Sequence, residues 1–226
     1  MIVRACFWIT FCHLVVVNIG IVGAGNVGGA LGRCWAAAGH SIKFGLRDPR
    51  KSEIVDLVKK CGPNTSAVSV AEAAAFGEVV TIATPWPATQ TAIEGAGDLS
   101  GKIVIDCTNP LKSDLSGLAI GHTTSAAEQV ASWAKGARVV KCFNTTGANN
   151  MEDPNYGGDR PVMFLCGDDN NAKKIVMKLG EDIGFEMVDV GKIDIARLLE
   201  PVAMLWIHLA FTTPLGRDFA FKLLRR

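Results

Sequence analysis

A chain of 226 residues with 23 Lys plus Arg against 22 Asp plus Glu has no charge excess to draw it to nucleic acid or an anionic membrane. Its hydrophobic share of 49 % supports a full core in one large domain or one with an extension. The seven cysteines (Cys6, Cys12, Cys34, Cys61, Cys107, Cys142, Cys166) never fall into a Cys-x-x-Cys pair. That spacing offers neither a disulfide framework nor a zinc site, and it suits small buried side chains in a reducing, cytoplasmic compartment.

Residues 5–17 are almost wholly apolar after Arg4, broken by Thr10 and His13. The stretch is shorter than the roughly 20 residues that span a bilayer, and no small-x-small cleavage site follows it. Residues 1–16 therefore read as an appendage to a fold that begins near Val17. Residues 17–22 predict a buried parallel strand, followed at once by Gly23-x-Gly25-x-x-Gly28 and a small-residue helix over 27–38. This strand, glycine turn and helix form the setting in which the glycine pattern binds a dinucleotide. Gly23 permits the tight turn, Gly25 the approach of a pyrophosphate, and Gly28 the close packing of helix on strand. Gly23, Ala24, Gly25, Asn26, Val27 and Gly28 are the predicted pyrophosphate seat at a helix N-terminus.

The second strand, 41–45, runs into Leu46-Arg47-Asp48-Pro49-Arg50-Lys51. A carboxylate here selects the ribose 2′-hydroxyl of NAD, whereas cations select the 2′-phosphate of NADP. Arg47 supplies a two-pronged donor, and Arg50 and Lys51 add charge, which favours NADP. Asp48 competes, either as a hydroxyl ligand or as the cap of the next helix.

Helix over 52–61, strand over 67–70, helix over 71–76 and strand over 78–83 follow. Thr84-Pro85-Trp86-Pro87 then opens a helix reaching residue 96. A strand over 102–106 leads into the turn Cys107-Thr108-Asn109-Pro110, and 111–122 reads as loop. Ser125-x-x-Glu128 is a capping-box signature for a helix ending near Gly136. A strand over 138–143 comes next, then a loop-rich stretch over 144–160. Strand over 162–166, an Asp-capped helix to 179, strand over 185–190 and a long helix over 193–211 complete the order. The alternation predicts an α/β fold, a doubly wound parallel sheet of Rossmann type. Residues 17–143 form its nucleotide-binding domain, and 144–226 a small α/β extension that completes the second-substrate site.

Ligands of such sheets lie beyond the carboxyl ends of the strands. Thr84, Pro85 and Trp86 should border the nicotinamide, and Asn144, Thr145, Thr146 and Gly147 form a small polar turn able to seat a ring or carbonyl. Trp86 is equally well read as a packed helix-start residue. None of His13, His40, His122 and His208 is expected to have a neighbouring carboxylate arranged for proton transfer, and each reads as structural. Neither a Ser-His-Asp order, a Tyr-x-x-x-Lys pair nor a metal-ligand cluster is present. No catalytic side chain is assigned. Hydride transfer between two rings requires proximity and orientation more than an acid or base.

Six segments taken together, Asn18-Ile-Gly-Ile-Val-Gly-Ala-Gly-Asn-Val-Gly, Gly45-Leu-Arg-Asp-Pro, Ala83-Thr-Pro-Trp, Asp106-Cys-Thr-Asn-Pro, Lys141-Cys-Phe-Asn-Thr and Leu199-Glu-Pro-x-x-Met-Leu, resemble the NADPH-dependent deazaflavin (coenzyme F-420) oxidoreductase family. The cytosolic domain of the STEAP metalloreductases belongs to the same family. The resemblance spans residues 17–211. It implies NADP held by the first βαβ unit, with a deazaflavin or flavin as second substrate. The ring would contact Thr84 to Trp86, Thr145, Gly147, Met204 and Leu205. Leu46 departs from a frequent Ser, removing one hydroxyl from the 2′-phosphate. The alternatives are an imine or β-hydroxyacid reductase and a non-catalytic NADP sensor. The expected partner is a small redox molecule, with Phe219, Phe221, Leu223 and Leu224 as candidates for a homodimer contact.

Overall fold

The computed structural model describes residues 16–226, so the appendage read over 1–16 lies, apart from Val16, outside the described residues. Six parallel strands are laid down in the order β3-β2-β1-β4-β5-β6: β1 Asn18–Val22, β2 Ser41–Gly45, β3 Thr65–Val68, β4 Val79–Ile82, β5 Ile103–Asp106 and β6 Arg138–Lys141. The strand order reverses between β1 and β4, and that switch point is the crevice where ligands of this architecture bind. Strands β4 and β5 are buried along their whole length, in keeping with largely apolar sequences in which Thr81 and Asp106 are the polar members. β7 (Val162–Gly167) then pairs antiparallel with β6, and β8 (Glu186–Asp189) pairs parallel with β7. The fold is the expected doubly wound sheet, extended to eight strands.

Helices cover both faces: α1 Asn26–Ala37, α2 Ser52–Cys61, α3 Val70–Phe76, α4 Trp86–Ala96, α5 Ala126–Trp133, α6 Ala148–Glu152, α7 Asn170–Asp182 and α8 Ala196–Thr212. One core joins Ile19, Ile21, Leu31, Trp35 and Phe44 to Phe143, Met163, Val176 and Leu179. The other joins Val22, Val80 and Ile82 to Ile93, Val104 and Val130. Trp35 unites the two halves of the chain. Its ring meets Phe143 edge-on at 5.5 Å, and its Nε1–H donates to the Leu179 carbonyl at 3.0 Å. The extension thus shares a core with α1.

Among the differences from the sequence expectation, three stand out. The strand expected over 67–70 ends at Val68, because Ser69 and Glu72 form a reciprocal capping box that starts α3. The strand expected to reach 143 stops at Lys141, and Phe143 takes a left-handed φ of 57°. The short α6 lies in the stretch read as loop. Ile193–Thr212 is long and apolar enough to cross a membrane by length and composition, and 33 % of its most apolar 18-residue window is buried.

Candidate nucleotide and second-substrate site

β1 delivers the chain to Gly23, whose φ of +100° only glycine adopts freely, and whose N–H donates to the Gly45 carbonyl at 3.2 Å. A Cβ on Gly28 would stand 2.0 Å from the Gly23 carbonyl oxygen, so α1 can lie this close only without one. Gly25 is exposed, with open space where a Cβ would go. No side chain caps α1. Its first N–H groups therefore have no side-chain partner at an open, glycine-floored concavity, and the turn fits a pyrophosphate.

Arg47, Arg50 and Lys51 stand exposed beyond β2, and among the described residues no ion pair engages them. Asp48 is committed to the backbone: its Oδ1 accepts from the Arg50 N–H at 3.2 Å. It shapes this turn and does not cap α2, whose N-cap position is Lys51. Three unengaged cations beside one engaged carboxylate make a surface suited to a phosphate.

Beyond β4, the Thr84 and Thr89 hydroxyls lie 3.0 Å apart, and Thr89 donates to the Pro85 carbonyl at 3.2 Å. The Trp86 ring stacks on Trp133 at 5.4 Å and 28°, so it fastens α4 to α5. This is the packed alternative for Trp86.

The ends of β5 and β6 hold a feature that local patterns did not reveal. Asp106, Lys141 and Glu200 are fully buried together. The Lys141 Nζ lies 2.9 Å from Asp106 Oδ2 and 3.1 Å from Glu200 Oε1, and it also donates to the Thr108 carbonyl. Glu200 accepts in turn from the N–H groups of Ala126 and Ala127, at the start of α5, at 3.0 and 3.2 Å. Burial works against the Lys141 ammonium, but the two carboxylates outweigh it and hold its pKa above the ordinary lysine value. Burial pushes the Glu200 carboxyl upward, against the pull of Lys141 and the Ala126 N–H.

Around this cluster, Asn109 and Asn144 are cross-bonded: Asn109 Nδ2 donates to the Asn144 carbonyl at 3.0 Å, and Asn144 Nδ2 to Asn109 Oδ1 at 3.1 Å. The Asn144 Oδ1 and the Thr108 hydroxyl are buried and have no protein partner. Two orphaned polar atoms at the carboxyl ends of neighbouring strands fit a polar ligand group. The rest of the predicted turn is occupied internally. Thr145 points at Met163, with its Oγ1 3.6 Å from the sulfur, and Thr146 accepts from Asn150 Nδ2 at 2.9 Å. Gly147 packs under Trp206, whose ring a Cβ would meet at 2.4 Å. Of these four residues, Asn144 alone offers an unused polar atom.

Met204 lines a cleft of about 630 Å³ with Pro201 and residues 118–124, between the loop after β5 and α8. Leu205, one position on, is half exposed and does not line it. His122 does line it, in a left-handed conformation with φ 62°. His40 is buried in a structural role, its Nδ1 accepting from the Val17 N–H at 3.2 Å; against the expectation, the fold sets a carboxylate beside it, Asp182 Oδ2 lying 3.4 Å from its Nε2. Burial raises the thiols of Cys107, Cys142 and Cys166, the last to about 12, so all three are protonated and inert at neutral pH. Phe219 and Phe221 pack within the chain, Phe219 stacked on Trp206 at 5.4 Å, which leaves only Leu223 and Leu224 of the proposed dimer contact exposed.

The family described as NADP oxidoreductase, coenzyme F420-dependent, matches residues 18–110. The chain is 28 % identical to the metalloreductase STEAP3 of Rattus norvegicus over 188 residues, which is 83 % of this chain and 36 % of that protein. It therefore spans only about a third of that relative. It is also 28 % identical over 200 residues to the F420-dependent NADP reductase of Methanothermobacter marburgensis, covering 83 % of this chain and 89 % of that one. A crystal structure from Arthrobacter sp. FB24, provisionally assigned as an F420-dependent NADP-reductase, superposes with a TM-score of 0.83 at 32 % identity, covering 92 % of this chain and 100 % of the other. A reductive aminase from Aspergillus terreus in complex with NADPH shares the fold, with a TM-score of 0.64 at 16 % identity. With the relative from Arthrobacter matched over its whole length, the chain belongs to the coenzyme F420-dependent NADP oxidoreductase family.

Proposed function

We propose that this chain binds NADPH and passes its hydride to a deazaflavin or flavin ring. The observation that carries the reading is the pairing of the uncapped glycine turn with three unengaged cations at the end of β2. The N–H groups of Gly25 to Gly28 would hold the pyrophosphate, and Arg47, Arg50 and Lys51 the 2′-phosphate. The orphaned Asn144 Oδ1 and Thr108 hydroxyl would orient the amide-bearing end of the nucleotide. Pro201 and Met204 give the neighbouring cleft an apolar wall that would exclude water from an acceptor ring bound there. The nicotinamide itself supplies the hydride. The protein's own contribution is then to hold two rings at about 3–3.5 Å, with no side chain required to change protonation state.

Cofactor choice tests the reading. Charged hydrogen bonds contribute about 1.5–3 kcal/mol each. Arg47→Ala should therefore weaken NADPH binding by roughly 10–150-fold and leave NADH almost unchanged in a fluorescence titration. An equal loss for both nucleotides would show that Arg47 does not read the phosphate.

A further inference from the structure

The buried cluster of Asp106, Lys141 and Glu200 sits at the one point where α8 cannot hold itself. Pro201 lies inside α8 and has no N–H, so the Arg197 carbonyl one turn earlier loses its helical partner. At that break the helix is fastened from the strand-end side. The Glu200 carboxylate takes Lys141 on one oxygen and the Ala126 N–H on the other, and the Leu199 carbonyl accepts from Asn144 Nδ2 at 3.4 Å. Arg197 adds a two-pronged contact to Glu128 on α5, at 2.9 and 2.5 Å. Pro201 and Met204, which follow directly, form the α8 wall of the 630 Å³ cleft.

From this arrangement we infer that Glu200 is a positioning residue for the acceptor cleft: held by Lys141, it sets the seat of α8 and so the place of Pro201 and Met204. The three ammonium protons of Lys141 have three acceptors, from Asp106, Thr108 and Glu200, belonging to β5, the loop after it and α8. That geometry fixes α8 in distance as well as direction, which apolar packing alone does not do. The contacts proposed for the nucleotide's phosphates, at Gly25 and Arg47, lie on other elements; those proposed at Asn144 and Thr108 adjoin the cluster through Leu199 and Lys141. The inference rests on the proposed reading only in naming the cleft as the acceptor's.

Glu200→Gln is the variant of choice, because it leaves Lys141 and Asp106 as a balanced pair. Its amide oxygen can keep Lys141 and the Ala127 N–H, which share Oε1, but the NH2 that replaces Oε2 faces the Ala126 N–H, so that contact to α5 is lost and Lys141 is left with a neutral acceptor. Backbone hydrogen exchange is to be followed alongside NADPH titration and steady-state kinetics with reduced-nucleotide donor and deazaflavin, FMN or FAD. Exchange over 196–208 should quicken at least tenfold while α1 and β1 keep their protection. NADPH affinity should stay within about twofold, and the acceptor KM should rise about tenfold. Unchanged exchange in α8, or an equal rise throughout the chain, would overturn the inference. If the parent protein reduces none of the acceptors, the proposed function fails, while the exchange pattern still decides whether Glu200 seats α8.

Discussion

Gly28→Ala is expected to destabilise the fold by about 3 kcal/mol or more and to remove nucleotide binding with it. Overpacking usually costs about 1–3 kcal/mol, and the value depends on whether the neighbour can move aside. Here the neighbour is the Gly23 carbonyl, 2.0 Å from the new methyl, with Ala83 Cβ at 3.2 Å behind it. The carbonyl belongs to the turn that would cradle the phosphate, so relief of the clash must distort that turn. At about 2–4 °C per kcal/mol for a chain of this size, the melting temperature should fall by roughly 6–12 °C. Gly25→Ala is the matched control. Its methyl enters open space, so the fold should melt normally while NADPH binding weakens. Thermal melts and titrations of the two variants separate packing from ligand approach. Equal melting temperatures would show that the Gly28 contact is not what seats α1.

Lys141→Met should be comparably severe for an electrostatic reason. Removing one member of a buried ion pair costs about 3–5 kcal/mol, because the remaining charge has no compensation. Two carboxylates, Asp106 and Glu200, are left here. The loss should depend on pH with a definite sign. Burial already raises Glu200, and without the pull of Lys141 it rises further. The folded chain then binds that proton more tightly than the unfolded chain does. Its contribution is intact below the ordinary carboxylate pKa of about 4.3 and is lost as pH rises through the raised folded value. The melting-temperature deficit against the parent should thus be smaller at pH 5 than at pH 8. Adding Asp106→Asn and Glu200→Gln, which makes the site neutral, should recover much of the stability. A deficit that is the same at both pH values, or that the neutral triple variant deepens, would contradict the electrostatic account.

The parts of this molecule that were legible in the sequence are those whose cause is local. Gly23, Gly25 and Gly28 announce the turn because strand, turn and helix are contiguous, and β2 and α2 fall where their patterns place them. The capping signature found at Ser125 was equally present at Ser69, where the reciprocal box starts α3. The ion cluster was illegible because its members come from residues 106, 141 and 200. Only the fold brings them together, although a lysine and an aspartate ending two apolar strands were a usable sign. Trp86 shows the reverse case. Its position beyond β4 was read equally as a nicotinamide border and as a packed helix start, and only the fold shows the packed contact, with Trp133, 47 residues away. Thr145 and Gly147 likewise face Met163 and Trp206, contacts with residues that no local pattern identifies.

The central claim is hydride transfer between nicotinamide and a second ring without a protein acid or base. It is tested most directly by anaerobic single-turnover oxidation of NADPH, against its 4-deuterated form, with deazaflavin, FMN or FAD as acceptor. The account predicts a primary isotope effect on the transfer step that persists when His40, His122 and His208 are singly replaced by Gln, with rates within a few-fold of the parent. No transfer to any of these rings, or a loss of about a thousandfold from one histidine, would contradict it.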